Sequence, residues 1–310
     1  MRKDKHKSKK RRWWKVALIV VLVLLVGGGA YGYSVYNSLN NAVDTMHTPI
    51  EREKSSKRPK EVEFHESQPF SVLLMGVDER EGDSGRSDSM IVLTVNPEVK
   101  SVKMLSIPRD TLTEIVGKGT KDKINHAYAF GGVEMAMDTV ENLLDIPVDY
   151  FVQINMESFQ EIVNAVGGVT VNNDLSFSYG GYSFPKGELE LSGKEALAFS
   201  RMRYEDPRGD FGRQLRQREI IQAVIREGAS VSSLWNFGDI FDALGNNIKT
   251  NLTFEEMVNI QKNYKAASNK IEQIKIEDGS GTKIDGIYYY VIPDAELTRI
   301  QDVLKEHMEL

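Results

Sequence analysis

The hydrophobic and polar positions divide the chain into regions of different periodicity. Residues 16–36 are uncharged and mostly apolar, whereas residues 37–66 are largely polar, mixed in charge and without hydrophobic periodicity. From residue 67 to residue 310, short apolar runs alternate with helical patterns. We therefore predict a stalk or linker at 37–66, followed by a folded domain at 67–310.

Apolar runs predict the strands of this domain. Residues 70–77 form a nearly continuous apolar run, which is typical of a strand buried on both faces. Similar runs occur at 90–95 and 102–107, with a turn signal between them, and a further strand is predicted at 150–154.

Helical periodicity and capping signals place helices between and after these strands. Two helix starts carry a capping box of the form Ser/Thr-x-x-Glu. Strands interleaved with helices predict an α/β fold, in which a mixed central β-sheet carries helices on both faces. The predicted helices are 133–144, 157–166, Ser192 through Phe199, Asp210 to Glu227, one beginning after Thr253, and Asp294 through His307.

The N-terminal region predicts a membrane anchor. Residues 1–15 carry nine Lys or Arg and one acid, and the next charged residue after them is Asp44. Residues 16–36 supply the roughly 20 apolar positions that a transmembrane helix needs, with Trp and Tyr residues at its two ends. We predict a basic cytoplasmic segment at 1–15, a signal-anchor helix at 16–36 and an extracellular domain.

A cleaved signal peptide is the alternative interpretation of this region. Such a peptide has a basic start, a shorter apolar core and a small-residue cleavage site, for which Gly28-Gly29-Ala30 is suitable. The uncharged stretch that continues beyond Ala30 favours the anchor. Both interpretations export residues 37–310.

Composition narrows the possible chemistry. The 310 residues include no cysteine, which excludes disulfides, thiolate catalysis and cysteine-based zinc sites. A hydrophobic fraction of 41% is sufficient for a packed core and excludes a disordered chain. The net charge of −6 combines +8 in residues 1–15 with −14 in the other 295 residues, so the predicted domain is acidic.

Two carboxylates are expected to meet where the first two strands are joined. Asp78 follows the strand at 70–77, and Asp88 precedes the next strand. Converging carboxylates at a sheet edge suit a hard divalent cation such as Mg²⁺. The alternative is that both acids pair with Arg80 and Arg86 at the surface.

Arginine is concentrated between residues 201 and 218, where six Arg and no Lys occur. A guanidinium binds phosphate oxygens in a bidentate manner and stays charged at any relevant pH. Arg213, Arg216 and Gln217 are spaced to share one face of a helix whose N-terminus favours anions. Arg109, which follows the third strand and a Pro, is a further candidate, with an ordinary surface arginine as its alternative. For the stretch 201–218, the alternative is a solvated helix face balanced by neighbouring acids.

Several other classes of function are not supported. An acidic, exported domain without a spread basic face argues against nucleic-acid binding. Neither a Gly-x-Ser-x-Gly elbow nor a P-loop occurs in the sequence. The lone His126 is more typical of a structural histidine than of a catalytic base.

Several segments, taken in order, resemble the LytR-CpsA-Psr family of bacterial cell-wall proteins. The resemblance is dense from residue 70 to about 226 and weak after residue 230. It rests on the motifs Leu73-Leu-Met-Gly-Val-Asp78-Glu-Arg80, Gly85-Arg-Ser-Asp88-Ser, Ser106-Ile-Pro-Arg109-Asp110, Lys123-Ile-Asn-His126-Ala-Tyr, Arg201-Met-Arg203 and Gly209-Asp-Phe-Gly-Arg213-Gln-Leu-Arg216-Gln.

The resemblance implies a phosphotransferase of cell-wall assembly. The donor would be an anionic glycopolymer, with wall teichoic acid expected, carried on undecaprenyl pyrophosphate. The acceptor would be the C6 hydroxyl of N-acetylmuramic acid in peptidoglycan, and attack on the sugar-side phosphorus would release undecaprenyl phosphate. Phosphoryl transfer relies on positioning and charge neutralisation, so a site without a cysteine or a Ser–His pair is sufficient.

The same resemblance implies roles for individual residues. Asp78 and Asp88 would hold Mg²⁺ or Mn²⁺. Asp78, Arg109 and Asp210 would form the catalytic set, with Asp210 or Asp78 accepting the proton of the acceptor hydroxyl. The expected pyrophosphate-binding residues are Arg80, Arg86, Arg109, Lys123, Arg201, Arg203, Arg213, Arg216 and Arg218.

A lipid-linked donor also requires an apolar pocket between the sheet and the helices. The helices at 133–144 and 157–166 are expected to line it, although an ordinary core would have the same apolar positions. Two other functions stay open at this point. One is a hydrolase that cleaves the lipid pyrophosphate with water, and the other is a non-catalytic anchored protein that binds wall polymer or regulates its synthesis.

Overall fold

Strands and helices alternate along most of the chain. The computed structural model describes residues 37, 40, 43–52, 54–77, 85, 87–230 and 248–310. The strands are β1 (Phe70–Val77), β2 (Ser87–Asn96), β3 (Ser101–Ile107), β4 (Leu112–Ile115), β5 (Thr120–Lys123), β6 (Tyr150–Ile154), β7 (Val169–Asn173), β8 (Phe177–Tyr179), β9 (Tyr182–Phe184), β10 (Gly187–Leu191), β11 (Ile248–Thr250), β12 (Ile271–Ile274), β13 (Ser280–Ile284) and β14 (Ile287–Val291).

The α-helices that lie wholly within the described residues come between and after these strands. Two short 3-10 helices, Phe64–Glu66 and Lys265–Asn269, accompany them. The α-helices are α1 (His126–Leu144), α2 (Met156–Ala165), α3 (Gly193–Arg201), α4 (Asp210–Ser230), α5 (Phe254–Asn263) and α6 (Asp294–Met308).

The central sheet is mixed and has six strands in the order β11–β6–β1–β2–β3–β12. Strand β1 pairs antiparallel with β2 and parallel with β6, so it lies in the interior of the sheet. Both faces of β1 are buried under packed cores, which explains its almost uninterrupted apolar sequence. The remaining strands form two-stranded pairs: β4–β5, β7–β10, β8–β9 and β13–β14.

Helices cover both faces of the central sheet. On one face, α1 and α6 pack against Leu73, Met75 and the alternate positions of β2 and β3. On the other face, α4, α5 and the first 3-10 helix pack against Phe70 and Val72. A smaller core joins α2, α3 and the β7–β10 pair to α4. The predicted mixed sheet with helices on both faces is therefore confirmed.

Most predicted elements agree with the structure to within a few residues. The strands 70–77 and 150–154 coincide with β1 and β6, and both predicted capping boxes are present at Ser192 and Thr253. Helix α1 begins earlier than the predicted residue 133. Its first turns are separated from the rest by a kink at Gly131 and Gly132, where Gly132 has a φ of 66°, so the regular period starts only after the kink.

The described residues of the predicted stalk pack against the domain. Arg58 forms an ion pair with Asp149, and both side chains are at most 9% exposed. Arg52 Nη1 lies 2.6 Å from Glu141 Oε2, which is also buried. Part of the 37–66 segment is therefore held on the domain rather than extended away from it, and the packed unit begins before residue 67.

The predicted cytoplasmic segment at 1–15 and the predicted membrane helix at 16–36 lie outside the described residues. Within the residues that are described, no helix combines the length and apolarity needed to cross a bilayer.

The C-terminal helix is fixed to the sheet by a buried histidine. His307 is 5% exposed, with Nδ1 2.7 Å from Thr94 Oγ1 and Nε2 2.9 Å from Ser101 Oγ. Burial and the nearby Lys103 lower the pKa of His307 to about 4. The native structure therefore disfavours the charged imidazolium.

Replacing this histidine should remove part of the pH dependence of stability. The unfolded chain binds a proton near the ordinary His pKa of 6.5, whereas the native chain does so near 4, so stability falls as pH drops between these values. We expect the wild type to lose up to ~3 kcal/mol of unfolding free energy across this window from this group. His307→Gln should show a smaller loss in urea titrations at pH 7 and pH 4.5. An equal loss in both proteins would contradict the assignment.

Candidate active site

An apolar cavity of about 340 Å³ lies between the sheet and three helices. Strands β1, β2 and β6 form one wall, and α2, α3 and α4 form the other. Along α4 the lining changes character, from Arg213 and Gln217 near the helix start to Ile220, Ile221 and Val224 farther on. The cavity thus has a polar end and an apolar end, the arrangement that a lipid with a charged head group requires.

Only one of the two helices predicted to line this pocket does so. Phe159, Ile162 and Val163 of α2 line the cavity as expected. Helix α1 instead packs on the opposite face of the sheet, where Met137 and Val140 are fully buried in the main core. The expectation that residues 133–144 line the pocket was wrong, because apolar periodicity does not reveal which face of the sheet a helix covers.

A chain of alternating charges extends from the polar end of the cavity. Asp88, which lines the cavity, accepts a hydrogen bond from Arg109 Nη1 at 2.6 Å. Arg109 Nε lies 3.7 Å from Asp110 Oδ2, and Asp110 Oδ1 accepts from Lys123 Nζ at 2.7 Å. Asp88 lies at the start of β2, Arg109 and Asp110 follow the end of β3, and Lys123 ends β5.

Arg109 is held charged by its neighbours. Burial alone would lower the pKa of its guanidinium, but the hydrogen bond to Asp88 and the charges of Asp110 and Asp210 raise it above its ordinary value. The carboxylates that surround Arg109 also fix its orientation. Arg109 is still 31% exposed and therefore accessible to an anionic ligand.

A second group of charges is built on the start of α4. Asp210 Oδ1 lies 2.8 Å from Arg213 Nη2 and 4.0 Å from Arg203 Nε. This oxygen is buried and has no hydrogen bond from the described residues, since the Arg213 hydrogens do not point towards it. Arg201, at the end of α3, is exposed and lines the cavity. The structure thus brings Arg201, Arg203, Asp210 and Arg213 to the same end of the cavity.

Arg216 was wrongly predicted to bind the pyrophosphate. Its side chain is 2% exposed, with Nη1 2.6 Å from Asp206 Oδ2 and Nε donating to the Phe199 carbonyl oxygen at 3.1 Å. The guanidinium also donates to the Met202 carbonyl oxygen at 2.5 Å. Although Arg216 is one turn from Arg213, its neighbours saturate it inside the protein.

The predicted role of Arg218 in binding the pyrophosphate is also not supported by its position. It points away from the cavity, and its Nε donates to Gln273 Oε1 of β12 at 3.0 Å. Burial lowers the pKa of Arg218 below its ordinary value. Arg218 is therefore a packing residue between α4 and the sheet, not part of the cavity lining.

Three expected site residues, Asp78, Arg80 and Arg86, lie outside the described residues. Two described residues were missed. Asp110 links Arg109 to Lys123, and the signal for it was its position directly after Arg109 in the sequence. Asp206 binds Arg216, and no local pattern distinguished it from other loop acids.

Asp88 fits a role as a magnesium ligand. Its carboxylate lines the cavity, is 40% exposed, and uses Oδ1 for Arg109, so Oδ2 remains for a cation. Within the described ranges, no cluster of three or more His, Asp or Glu side chains is suited to hold a metal.

Comparison with known proteins agrees with this geometry. The model of the LytR_cpsA_psr family matches residues 33–306. The chain belongs to the LytR_cpsA_psr family.

Individual relatives are similar over most of their length. A Bacillus subtilis (strain 168) protein named polyisoprenyl-teichoic acid–peptidoglycan teichoic acid transferase TagU is 56% identical over 281 residues, which is 91% of each chain. The structure of TagT bound to LIIa-WTA has a TM-score of 0.74 and 34% identity, covering 85% of this chain and 100% of that one. The LytR-CPS2A-psr family protein YwtF (TagT) with bound octaprenyl pyrophosphate lipid has a TM-score of 0.68 and 31% identity, with 85% and 99% covered.

The two roles of arginine in this family member can be separated by measurement. Arg216→Ala removes the buried partner of Asp206 and leaves only the half-exposed Arg208 to compensate its charge, so we expect the free energy of unfolding to fall by ~3 kcal/mol. Arg226→Ala, on the exposed face of the same helix, should change it little. Urea denaturation of both variants tests this. If Arg216→Ala is fully stable but no longer binds the polyprenyl pyrophosphate, Arg216 is a pyrophosphate-binding residue after all.

Proposed function

We propose that this protein transfers an anionic glycopolymer from a polyprenyl pyrophosphate to peptidoglycan. The polymer would be wall teichoic acid, and the acceptor the C6 hydroxyl of N-acetylmuramic acid. The observation that carries the proposal is the cavity with an apolar interior and an arginine-bearing polar end. The names of its relatives, teichoic acid transferase TagU among them, support the same activity.

The donor would bind with its lipid in the apolar part of the cavity. A polyprenyl chain is bound there by burial of apolar surface against α2, α4 and the sheet. The relative that binds octaprenyl pyrophosphate supports this placement. The pyrophosphate would then lie between Arg109, Arg201 and Arg213, whose guanidiniums neutralise its charge.

The transfer step requires an in-line attack on phosphorus. The acceptor oxygen bonds to the sugar-side phosphorus, the bond from that phosphorus to the bridging oxygen breaks, and polyprenyl phosphate leaves. The acceptor proton passes to a carboxylate, for which Asp210 is available beside Arg203 and Arg213, and Asp78 is the alternative. Arg109 would stabilise the charge that develops on the leaving phosphate.

A divalent cation is part of this proposal. Asp88 and Asp78 would hold Mg²⁺, or Mn²⁺ in its place, at the polar end of the cavity. The cation would supply charge neutralisation on the phosphate oxygens. The chemistry of Asp88, a partly exposed carboxylate paired through one oxygen, supports such a role.

The location of the reaction follows from the N-terminal sequence. We propose that residues 16–36 anchor the protein in the cell membrane, with residues 1–15 in the cytoplasm and the folded domain outside. A domain held at the outer membrane surface can draw a lipid-linked donor from the bilayer and reach the wall.

The arginines at the polar end should be essential for transfer. We expect Arg109→Ala and Arg201→Ala each to lower transfer from a purified lipid-linked donor to peptidoglycan oligomers by at least ~100-fold, because each removes charge stabilisation from the transition state. Arg226→Ala is the matched control and should transfer normally. Full transfer by both site variants would rule out the proposed site.

The same assay separates transfer from hydrolysis. With peptidoglycan oligomers present, a transferase forms the polymer–oligomer conjugate, whereas a hydrolase releases free polymer phosphate at the same rate with or without them. A protein that only binds polymer would release no polyprenyl phosphate in either case.

The cation requirement can be tested through Asp88. A chelator should abolish transfer, and added Mg²⁺ should restore it. Asp88→Asn keeps a hydrogen-bond acceptor for Arg109 but loses a charge, so we expect the Mg²⁺ concentration for half-maximal activity to rise about tenfold or more. Activity that is insensitive to both the chelator and this substitution would exclude a metal at Asp88.

A further inference from the structure

The β13–β14 hairpin is attached to the charged residues of the site. The backbone N–H of Tyr290 donates to the Asp110 carbonyl oxygen at 2.8 Å, next to a bridge between Thr111 and Tyr290. On the other side of the strand, the Tyr289 hydroxyl lies 3.4 Å from Asp122 Oδ1, and Lys123 Nζ is 5.8 Å from the centre of its ring. The position of the hairpin is thus set by the residues that flank Arg109.

This hairpin presents an immobilised aromatic ring to solvent. A Cβ on Gly281 would lie 2.6 Å from the ring of Tyr288, so the ring lies closely over the glycine backbone. Tyr288 nevertheless remains 45% exposed. One part of the ring is therefore packed against the hairpin while the rest faces outwards and offers an aromatic surface to a ligand.

A second exposed ring, that of Phe211, lies against Tyr290, two positions after Tyr288 in the same strand. Phe211 is 52% exposed, and its ring centre is 5.8 Å from that of Tyr290, which shares a face of β14 with Tyr288. Phe211 directly follows Asp210 in the sequence. We call the exposed rings of Tyr288 and Phe211 the aromatic surface; one of its two residues is adjacent in sequence to the carboxylate that we propose as proton acceptor.

The β13–β14 hairpin and the cavity lie at opposite ends of the chain of charges. Asp88 lines the cavity, Arg109 binds Asp88, and Asp110 follows Arg109. The hairpin is attached beyond that point, at the Asp110 carbonyl and Lys123. A donor that enters through the cavity leaves this side of the site open to the second substrate.

We propose that the aromatic surface binds a sugar ring of the peptidoglycan glycan strand and so positions the acceptor hydroxyl. The inference rests on the proposed transferase function and assigns the acceptor side of its site. A pyranose has apolar C–H faces that stack on an aromatic ring and polar hydroxyls at its edge. Strands β13 and β14 and their turn contain one Lys and one Asp, so no basic cluster is present to attract anionic lipid instead.

Variants of the aromatic surface should weaken acceptor binding selectively. For full-length protein in detergent, we expect Tyr288→Ala to raise KM for peptidoglycan oligomers about tenfold, with kcat and donor binding within about twofold of wild type. Tyr288→Phe keeps the ring and should behave as wild type. Tyr179→Ala is the matched control, because Tyr179 is 38% exposed on another two-stranded hairpin, β8–β9, which packs on α3.

Binding of donor-free oligomers separates this inference from the proposed function. Saturation-transfer NMR with peptidoglycan oligomers should show contact that is lost in Tyr288→Ala and in Phe211→Ala. If the wild-type protein does not transfer polymer but both variants lose the NMR contact with oligomers, the proposed transferase function is wrong and the aromatic surface still binds glycan. Unchanged oligomer binding and unchanged KM in both variants overturn the surface while leaving the transferase intact. If Tyr288→Ala and Phe211→Ala lose binding to lipid vesicles but bind oligomers as the wild type does, the aromatic surface contacts the membrane and the glycan inference is wrong.

Discussion

The ion pair between Asp206 and Arg216 is the interaction on which the site depends. Arg216 connects the end of α3, through the carbonyls of Phe199 and Met202, to the loop that leads into α4. Asp206 also accepts from the backbone and side chain of Arg208, which in turn binds Asp174 near β7. Burial opposes the charge of Asp206, but its Arg208 and Arg216 partners hold its pKa well below the usual range. The α3–α4 loop is therefore fixed from inside the protein.

This internal connection determines where the functional arginines lie. Arg201 precedes the loop, Arg203 lies within it and Arg213 follows it, so the approach of Arg203 and Arg213 to Asp210 depends on the loop conformation. The same residue type thus serves two purposes within one short stretch. Buried guanidiniums with several carbonyl and carboxylate partners determine the structure, whereas partly exposed ones are available to an anion.

Much of the fold could be predicted from the sequence, because β1, β6 and the capped helices each have a strong local signal. The short strands β4, β5, β8 and β9 could not, since three or four residues of mixed polarity give no clear period. In the site, Arg109, Arg201 and Arg213 could be predicted because they follow or begin secondary-structure elements near the cavity. Arg216 could not be separated from Arg213, because the position of its partner Asp206 is a tertiary property. Likewise, the hydrophobic periodicity of α1 showed that the helix has a buried side, but it did not show which face of the sheet the helix covers.

Gly212 shows how little freedom the loop has. A Cβ at this position would lie 2.0 Å from a carboxylate oxygen of Asp206, so any side chain there would displace the buried ion pair. Engineering this enzyme towards other substrates should therefore leave the α3–α4 loop unchanged. Positions such as Ile221 and Val224 of α4, which shape the apolar end of the cavity, offer a route to altered donor length that does not disturb the charged centre.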